Sequence, residues 1–349
     1  MSARTYLDWN ATAPLRAEAR AAMIAAMDVA GNPSSVHAEG RAAKAVIERA
    51  RDDVAALVGC RAREVVFTSG ATEAAGVLAG YADGGVTVQP EAHDCLLAHE
   101  RAVDGSAGRA AVVAMGLANS ETGVITEPDE AERARGGLLL LDIVQAVGRV
   151  PFAFSWSGAD FALVSAHKIG GPKGVGALIV REGVDIATLR AGGGQEMGRR
   201  SGTENLAGIA GFGAAARAAL ADQEQGVWSG VAALRDRLEA RILRAADGVT
   251  IAGQALTRLP NTASIVTPGW KGETQVMQMD LAGFAVSAGS ACSSGKVRPS
   301  RVLRAMGFDE GAAASAIRVS LGPQTTEDEV DRFAEAWIAA WARHSARAA

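Results

Sequence analysis

Cysteine is scarce in this chain: three residues in 349, Cys60, Cys95 and Cys292, lie far apart and show no CxxC spacing. That argues against a disulfide framework or a zinc site built on cysteine pairs, and no intrinsic metal site is expected. Long apolar runs are lacking too. The longest, Leu138 to Val150, is broken by Asp142, Gln145 and Arg149, well short of the roughly 20 apolar residues that cross a bilayer. The net charge is only −4, so nothing global favours nucleic acid or an anionic membrane as partner. The opening MSARTYLDWNATAP has no apolar signal core. A cytoplasmic protein is expected.

What is present is ordinary for a soluble enzyme: 48% hydrophobic and 21% charged residues, with length enough for a large domain and a smaller one. From Glu39 to Val58, the residues Val46, Ile47, Ala50, Val54, Leu57 and Val58 share one helical face. Glu64 to Thr68 reads as a buried strand, followed by Ser69-Gly70-Ala71-Thr72-Glu73 and a helix start. Strand, small-residue turn and helix open a parallel α/β sheet. Further strands are expected at Ala110–Met115, Gly137–Leu141 and Phe161–Ser165. A helical stretch runs from Leu206 to Leu243, interrupted around Gly226 to Gly230. Strands near Ala263–Val266 and Ile317–Ser320 and a C-terminal helix from Thr326 suggest a smaller α+β domain. Residues 13–223 are assigned to the large domain, and 1–12 with 224–349 to the small one.

Ligands of open α/β sheets lie beyond the carboxyl ends of the strands. Thr72, Asn119, Ser120, Asp142, Gln145, Ser165, His167 and Lys168 are therefore expected in one crevice. A lysine at a strand's carboxyl end amid small residues can form an imine with an aldehyde cofactor; the plainer reading is a solvated loop lysine. Asp142 ends the run GGLLLL at the same edge. A pyridoxal cofactor needs such a carboxylate for its ring nitrogen, although a helix cap would also use one. Gly70-Ala71-Thr72 at a helix start offers N–H groups and a hydroxyl for a phosphate.

The stretches YLDWNATAP, NPSSVHAEGR, VVFTSGATEA, ANSETG, DIVQAVG, SAHKIGGPKG, RRSGTEN, SAGSACSSG and IRVSLG run from Tyr6 to Gly322. Together they resemble the class V aminotransferase family, and within it the cysteine desulfurases that feed iron–sulfur assembly. The resemblance implies a fold-type I pyridoxal-phosphate transferase, α/β with a mostly parallel central sheet, acting as a homodimer. It implies that Lys168 carries pyridoxal 5'-phosphate as a Schiff base, with Asp142 on the pyridine nitrogen and Gln145 on the phenolic oxygen. Ala71, Thr72, Ser165 and His167 would hold the phosphate, with Thr203 reaching in from a second subunit. His93 would stack on the ring and move protons; by itself it reads as a capping or surface histidine. Arg318 would grip the substrate carboxylate, a task suited to a guanidinium, where otherwise a surface salt bridge is expected. Asn10 and His37 match residues near the substrate.

Cys292 sits among small residues in Ser287 to Lys296, a poor place for a cysteine acting as a buried hydrophobe. Lys296 and Arg298 favour its thiolate. The expected reaction takes sulfur from L-cysteine onto Cys292 as a persulfide, releases alanine and passes the sulfur to an acceptor protein such as an iron–sulfur scaffold. Cys60 and Cys95 suit the role of buried hydrophobes. Two departures from the family pattern stand out. Ser120 replaces an asparagine near the cofactor, and the stretch from His93 to Asn119 is one peripheral βα unit short. A selenocysteine lyase and a non-catalytic sulfur carrier on the same fold are the competing readings; Cys292 argues against the first, and retention of the whole residue set against the second.

Overall fold

The computed structural model describes residues 4–103, 110–128, 136–289 and 299–348. Cys292, Lys296 and Arg298 lie outside them. Two units emerge: Ala13–Ala118 with Thr126–Gln225, and residues up to Thr12 with Asn119–Ile125 and Gly226–Ala349. Among the described residues, no helix is long and apolar enough to cross a membrane.

Strand β1 (Thr5–Tyr6) belongs to the second unit. The first unit is built on a six-stranded sheet: β2 (Val65–Thr68), β3 (Val86–Val88), β4 (Ala110–Gly116), β5 (Gly136–Asp142), β6 (Phe161–Ser165) and β7 (Gly176–Val180), in the order β2-β7-β6-β5-β4-β3. The strands β3 to β6 pair in parallel. β7 is absent from the sequence-based expectation and runs antiparallel to both β2 and β6. The strand that was to open a parallel sheet is thus an edge strand with an antiparallel neighbour, although it points the same way as β6. Strands covered on both faces lack polar alternation, and β2, β6 and β7 are buried at every position.

One face of this sheet packs Val66, Val112, Leu140, Phe161 and Leu178 against Val77, Leu78 and Leu96. Helices α1 (Ala17–Met27), α2 (Ala38–Val58) and Leu206–Glu224 also pack together in this unit. Small residues permit close approach: a Cβ on Gly213 would fall 2.5 Å from Ala50 Cα in α2.

The second unit holds a four-stranded antiparallel sheet in the order β11-β12-β9-β8, from β8 (Thr250–Ile251), β9 (Thr262–Val266), β11 (Ser287–Ala288) and β12 (Ile317–Ser320). β1 pairs in parallel with β10 (Phe284–Ala285). Helices Val227–Ala245 and Glu327–Ala348 supply Leu238, Phe333 and Trp337 to a core with Ile265, Trp270 and Val319. The segment Asn119–Ile125 is tied here by Ile125 N–H to Thr257 O, 2.9 Å.

Candidate active site

Five of the six strands in the first unit run the same way, so their carboxyl ends share one edge. Asp142 is the last residue of β5 and pairs with Leu163 of β6. Ser165 ends β6, and a single 3-10 turn over Ala166–Lys168 carries His167 and Lys168 past that edge. Beyond β2, the turn at Gly70 leads into α3 (Ala71–Ala75). Its approach to β6 depends on glycine. A Cβ on Gly176 would sit 2.7 Å from Gly70 Cα and 2.6 Å from Val164 O. The first N–H groups of a helix have no intrahelical acceptor, so Ala71 and Thr72 present donors at this edge.

His93 caps the four-residue helix α4 (Asp94–Leu97), with Nδ1 accepting from Cys95 N–H at 3.1 Å. In the neutral ring the proton is therefore assigned to Nε2. Asp142 Oδ1 accepts from Val144 N–H at 2.9 Å. The capping readings thus describe real contacts of both residues, yet leave His93 Nε2 and Asp142 Oδ2 for other chemistry. Gln145 Oε1 accepts from Arg149 Nη1 at 2.7 Å, and both side chains are buried.

Electrostatics mark the same place. Burial pushes the Asp142 carboxyl up from its ordinary value, opposed by the Val144 N–H and the charges of His93 and Lys168. His167 is pushed down to about 4, first by burial and then by Lys168 and Lys173. A desolvated carboxylate, a lysine and a histidine held neutral at one strand edge are groups poised for proton transfer. The described cysteines are not: burial pushes Cys95 and Cys60 up to about 12, helped by Asp142 and Asp94 for one and Glu64 for the other. Among the described residues, no cluster of three or more His, Cys, Asp or Glu side chains could hold a metal ion.

Thr203 is exposed and lines an open cavity of about 700 Å³ with Ser69, Glu73 and Arg200. The loop bearing it is anchored by a buried bidentate pair, Arg51 to Glu196, at 2.8 Å for both contacts. His37 caps α2, accepting from Gly40 N–H, and its exposed ring lies 3.0 Å from Glu39.

In the second unit Arg318, on β12, donates from Nη2 to Asp8 Oδ1 at 2.7 Å and from Nη1 to Ser120 O at 3.1 Å. Its buried Nε has no acceptor among the described residues. Asn10 donates to Ser120 O and Thr262 Oγ1 and accepts from Asn261 Nδ2. Asn119 and Ser120 thus group with this unit and not with the six other residues expected in the crevice.

A family model, "Aminotransferase class-V", matches residues 5–93 and 82–333. The chain belongs to the class V aminotransferase family. Members of this family are pyridoxal-phosphate enzymes, and this chain has their fold-type I architecture. It is 40% identical to a cysteine desulfurase of Cereibacter sphaeroides over 95% of this chain and 94% of that one. A cysteine desulfurase of Frankia sp. is 41% identical, over 95% and 89%. Among solved structures, a NifS-like protein from Rickettsia africae superposes with a TM-score of 0.86 at 31% identity, covering 96% of this chain and 98% of that one.

The sheet edge suits the cofactor of a class V aminotransferase. Asp142 is a buried carboxylate whose desolvation a protonated pyridine nitrogen would offset, and the close approach of Gly176 to Gly70 sets the start of α3 at the same edge. Sequence reasoning missed Asp8, although it lies in YLDWNATAP, and treated Arg149 only as a break in an apolar run. The four-residue spacing of Gln145 and Arg149 was the available signal for the second.

Proposed function

We propose that the chain is a cytoplasmic, homodimeric cysteine desulfurase that moves the sulfur of L-cysteine onto Cys292 and then to an acceptor protein, such as an iron–sulfur scaffold. The observation that carries this reading is Asp142: a buried strand-end carboxylate under the charges of Lys168 and His93, in a chain about 40% identical to cysteine desulfurases.

Lys168 holds pyridoxal 5'-phosphate covalently, and Asp142 keeps the proton on its ring nitrogen. When bound, the cofactor supplies an electron sink for the substrate α-carbon. Gln145 donates its amide N–H to the phenolic oxygen. Ala71, Thr72, Ser165 and His167 hold the phosphate, with Thr203 serving the partner subunit and Ser120 beside the cofactor. His167, neutral above a pKa of about 4, donates without bringing a second charge beside Lys168. Arg318 binds the substrate carboxylate; its Nε lacks an acceptor among the described residues, while Asp8 and Ser120 fix the rest of the guanidinium. Asn10 and His37 lie toward the substrate.

Lys168 Nζ would take the α-proton of the bound substrate, and His93 Nε2 would relay protons. The Cys292 thiolate attacks the substrate sulfur. A sulfur–sulfur bond forms, the carbon–sulfur bond breaks, and the electron pair left on carbon takes a proton to become the methyl group of alanine. Thiolate plus cysteine becomes persulfide plus alanine, with no outside oxidant. The high pKa values of Cys60 and Cys95 support Cys292 as the acceptor.

The test incubates the protein with L-cysteine and a reductant and measures alanine and sulfide together, for wild type and Cys292→Ala. Equimolar products from wild type and neither from Cys292→Ala are expected. Wild-type sulfur delivery by Cys292→Ala removes the acceptor role. Turnover of selenocysteine with none of cysteine makes the chain a selenocysteine lyase.

A further inference from the structure

Arg149 is a buried cation at the cofactor edge, 4% exposed, and the proposed chemistry gives it no role. It follows Gln145 by four residues in a turn closed by Val147 N–H to Ile143 O and Arg149 N–H to Ala146 O. Gly148 takes a φ of 76°, in the left-handed region. A side chain there would also sit 3.1 Å from Ala219 Cβ and 3.2 Å from Ile169 Cγ2. Glycine therefore lets the chain reverse tightly enough for Arg149 to reach two targets. Its Nη1 donates to Gln145 Oε1 at 2.7 Å, and its Nη2 reaches the Lys168 carbonyl at a longer 3.4 Å.

We propose that Arg149 is a positioning residue of the cofactor site, holding the Gln145 amide by its oxygen so that the amide nitrogen is the end offered to the cofactor. This rests on the reading of Gln145 as the partner of the phenolic oxygen. A side-chain amide can turn over and exchange its oxygen and nitrogen with little change in shape. Against a phenolic oxygen only one orientation binds, and the other sets two acceptors face to face. A guanidinium carries donors and no acceptor, and it stays charged at any pH the protein survives. Facing Gln145, it therefore selects the amide oxygen. Burial strengthens that selection, because no water competes for either group. The longer contact to the Lys168 carbonyl ties the same guanidinium to the backbone of the lysine.

A donor on the phenolic oxygen draws charge from it and so loosens the proton on Lys168 Nζ in the linkage to the cofactor. Loss of that donor raises the pH at which the bound cofactor's visible band changes, by about one unit for one charge-assisted hydrogen bond. The experiment titrates that band in the pyridoxal-phosphate-loaded protein for wild type, Arg149→Met, Arg149→Lys, Gln145→Met and the Arg149→Met/Gln145→Met double variant. Circular dichroism verifies the fold of each. An upward shift of about one unit is expected in Arg149→Met and in Gln145→Met, with no further shift in the double variant. Arg149→Lys, which keeps a donor for Oε1, should titrate with wild type.

The cycle separates positioning from bare charge. If Arg149→Met shifts the band equally with and without Gln145, its charge acts directly and the proposal is overturned. An unshifted Arg149→Met beside a shifted Gln145→Met overturns the proposal and leaves the reading of Gln145 standing. An unshifted Gln145→Met overturns both. Where Arg149→Met does not fold, Arg149→Leu, which likewise supplies no donor to Gln145 Oε1, is read in its place, with the same outcomes.

Discussion

Arg318 and Asp8 form a partly buried pair at 2.7 Å in which Asp8 is itself held by the Ser287 hydroxyl at 2.8 Å. The pair fixes one end of the guanidinium, and Nε has no acceptor among the described residues. Arg318→Met is expected to lower kcat/KM for cysteine by about 10–100-fold, the worth of a charge-assisted hydrogen bond. Asp8→Asn should act through KM more than kcat, because the arginine survives but loses its fixed orientation. Steady-state kinetics on both variants provide the check; unchanged values for Arg318→Met remove it from the substrate site.

Asp142 sets cofactor binding against stability. Its carboxylate is desolvated, and Asn can keep the Oδ1 contact with Val144 N–H without the charge. Asp142→Asn should therefore melt higher than wild type when both lack cofactor. It should nevertheless bind pyridoxal phosphate more weakly and show little turnover. Thermal melts with and without added cofactor test this, and a lower cofactor-free midpoint for Asp142→Asn contradicts it.

Acid should destabilise the cofactor-free protein through His167. Its folded pKa is about 4, against about 6.5 unfolded. Between those values the unfolded chain binds the extra proton, so stability falls as pH drops from about 6.5 toward 4. Above that window His167 contributes no slope. His167→Asn should flatten the curve of melting temperature against pH within that window, and an unchanged curve argues against the buried neutral histidine.

The Arg51–Glu196 pair anchors the Thr203 loop. Glu196 also receives Phe67 N–H at 2.9 Å while holding a φ of 51°. Arg51→Met strands a buried carboxylate and should cost about 3–5 kcal/mol in chemical denaturation. Breaking the more exposed pair of Arg217 and Asp53 should cost less than about 1 kcal/mol. Equal losses would show that the loop is not held by this pair.

Much of the fold was legible in local pattern. Apolar runs ending in polar or small residues located β2, β4, β5, β6, β9 and β12 to within about two residues, because strands covered on both faces contain little else. The placement of Asp142 and Lys168 followed from the same rule, since adjacent parallel strands deliver their ends to one edge. β7 and the short strands β1, β3, β8, β10 and β11 were missed. Two to five residues carry too little periodicity to separate a strand from a loop.

The sequence by itself determined which chemistry-bearing residues the chain has and, through ordered motifs, the family to which it belongs. Tertiary structure alone decided three things. It grouped Asn119–Ile125 with the second unit, although that segment follows directly from β4. It paired Asp8 with Arg318 across 310 residues. It set Arg149 against Gln145, turning a break in an apolar run into a buried side-chain contact. Each depends on a hydrogen bond made by a buried polar group, and burial is a property of the packed chain that no local window of sequence contains.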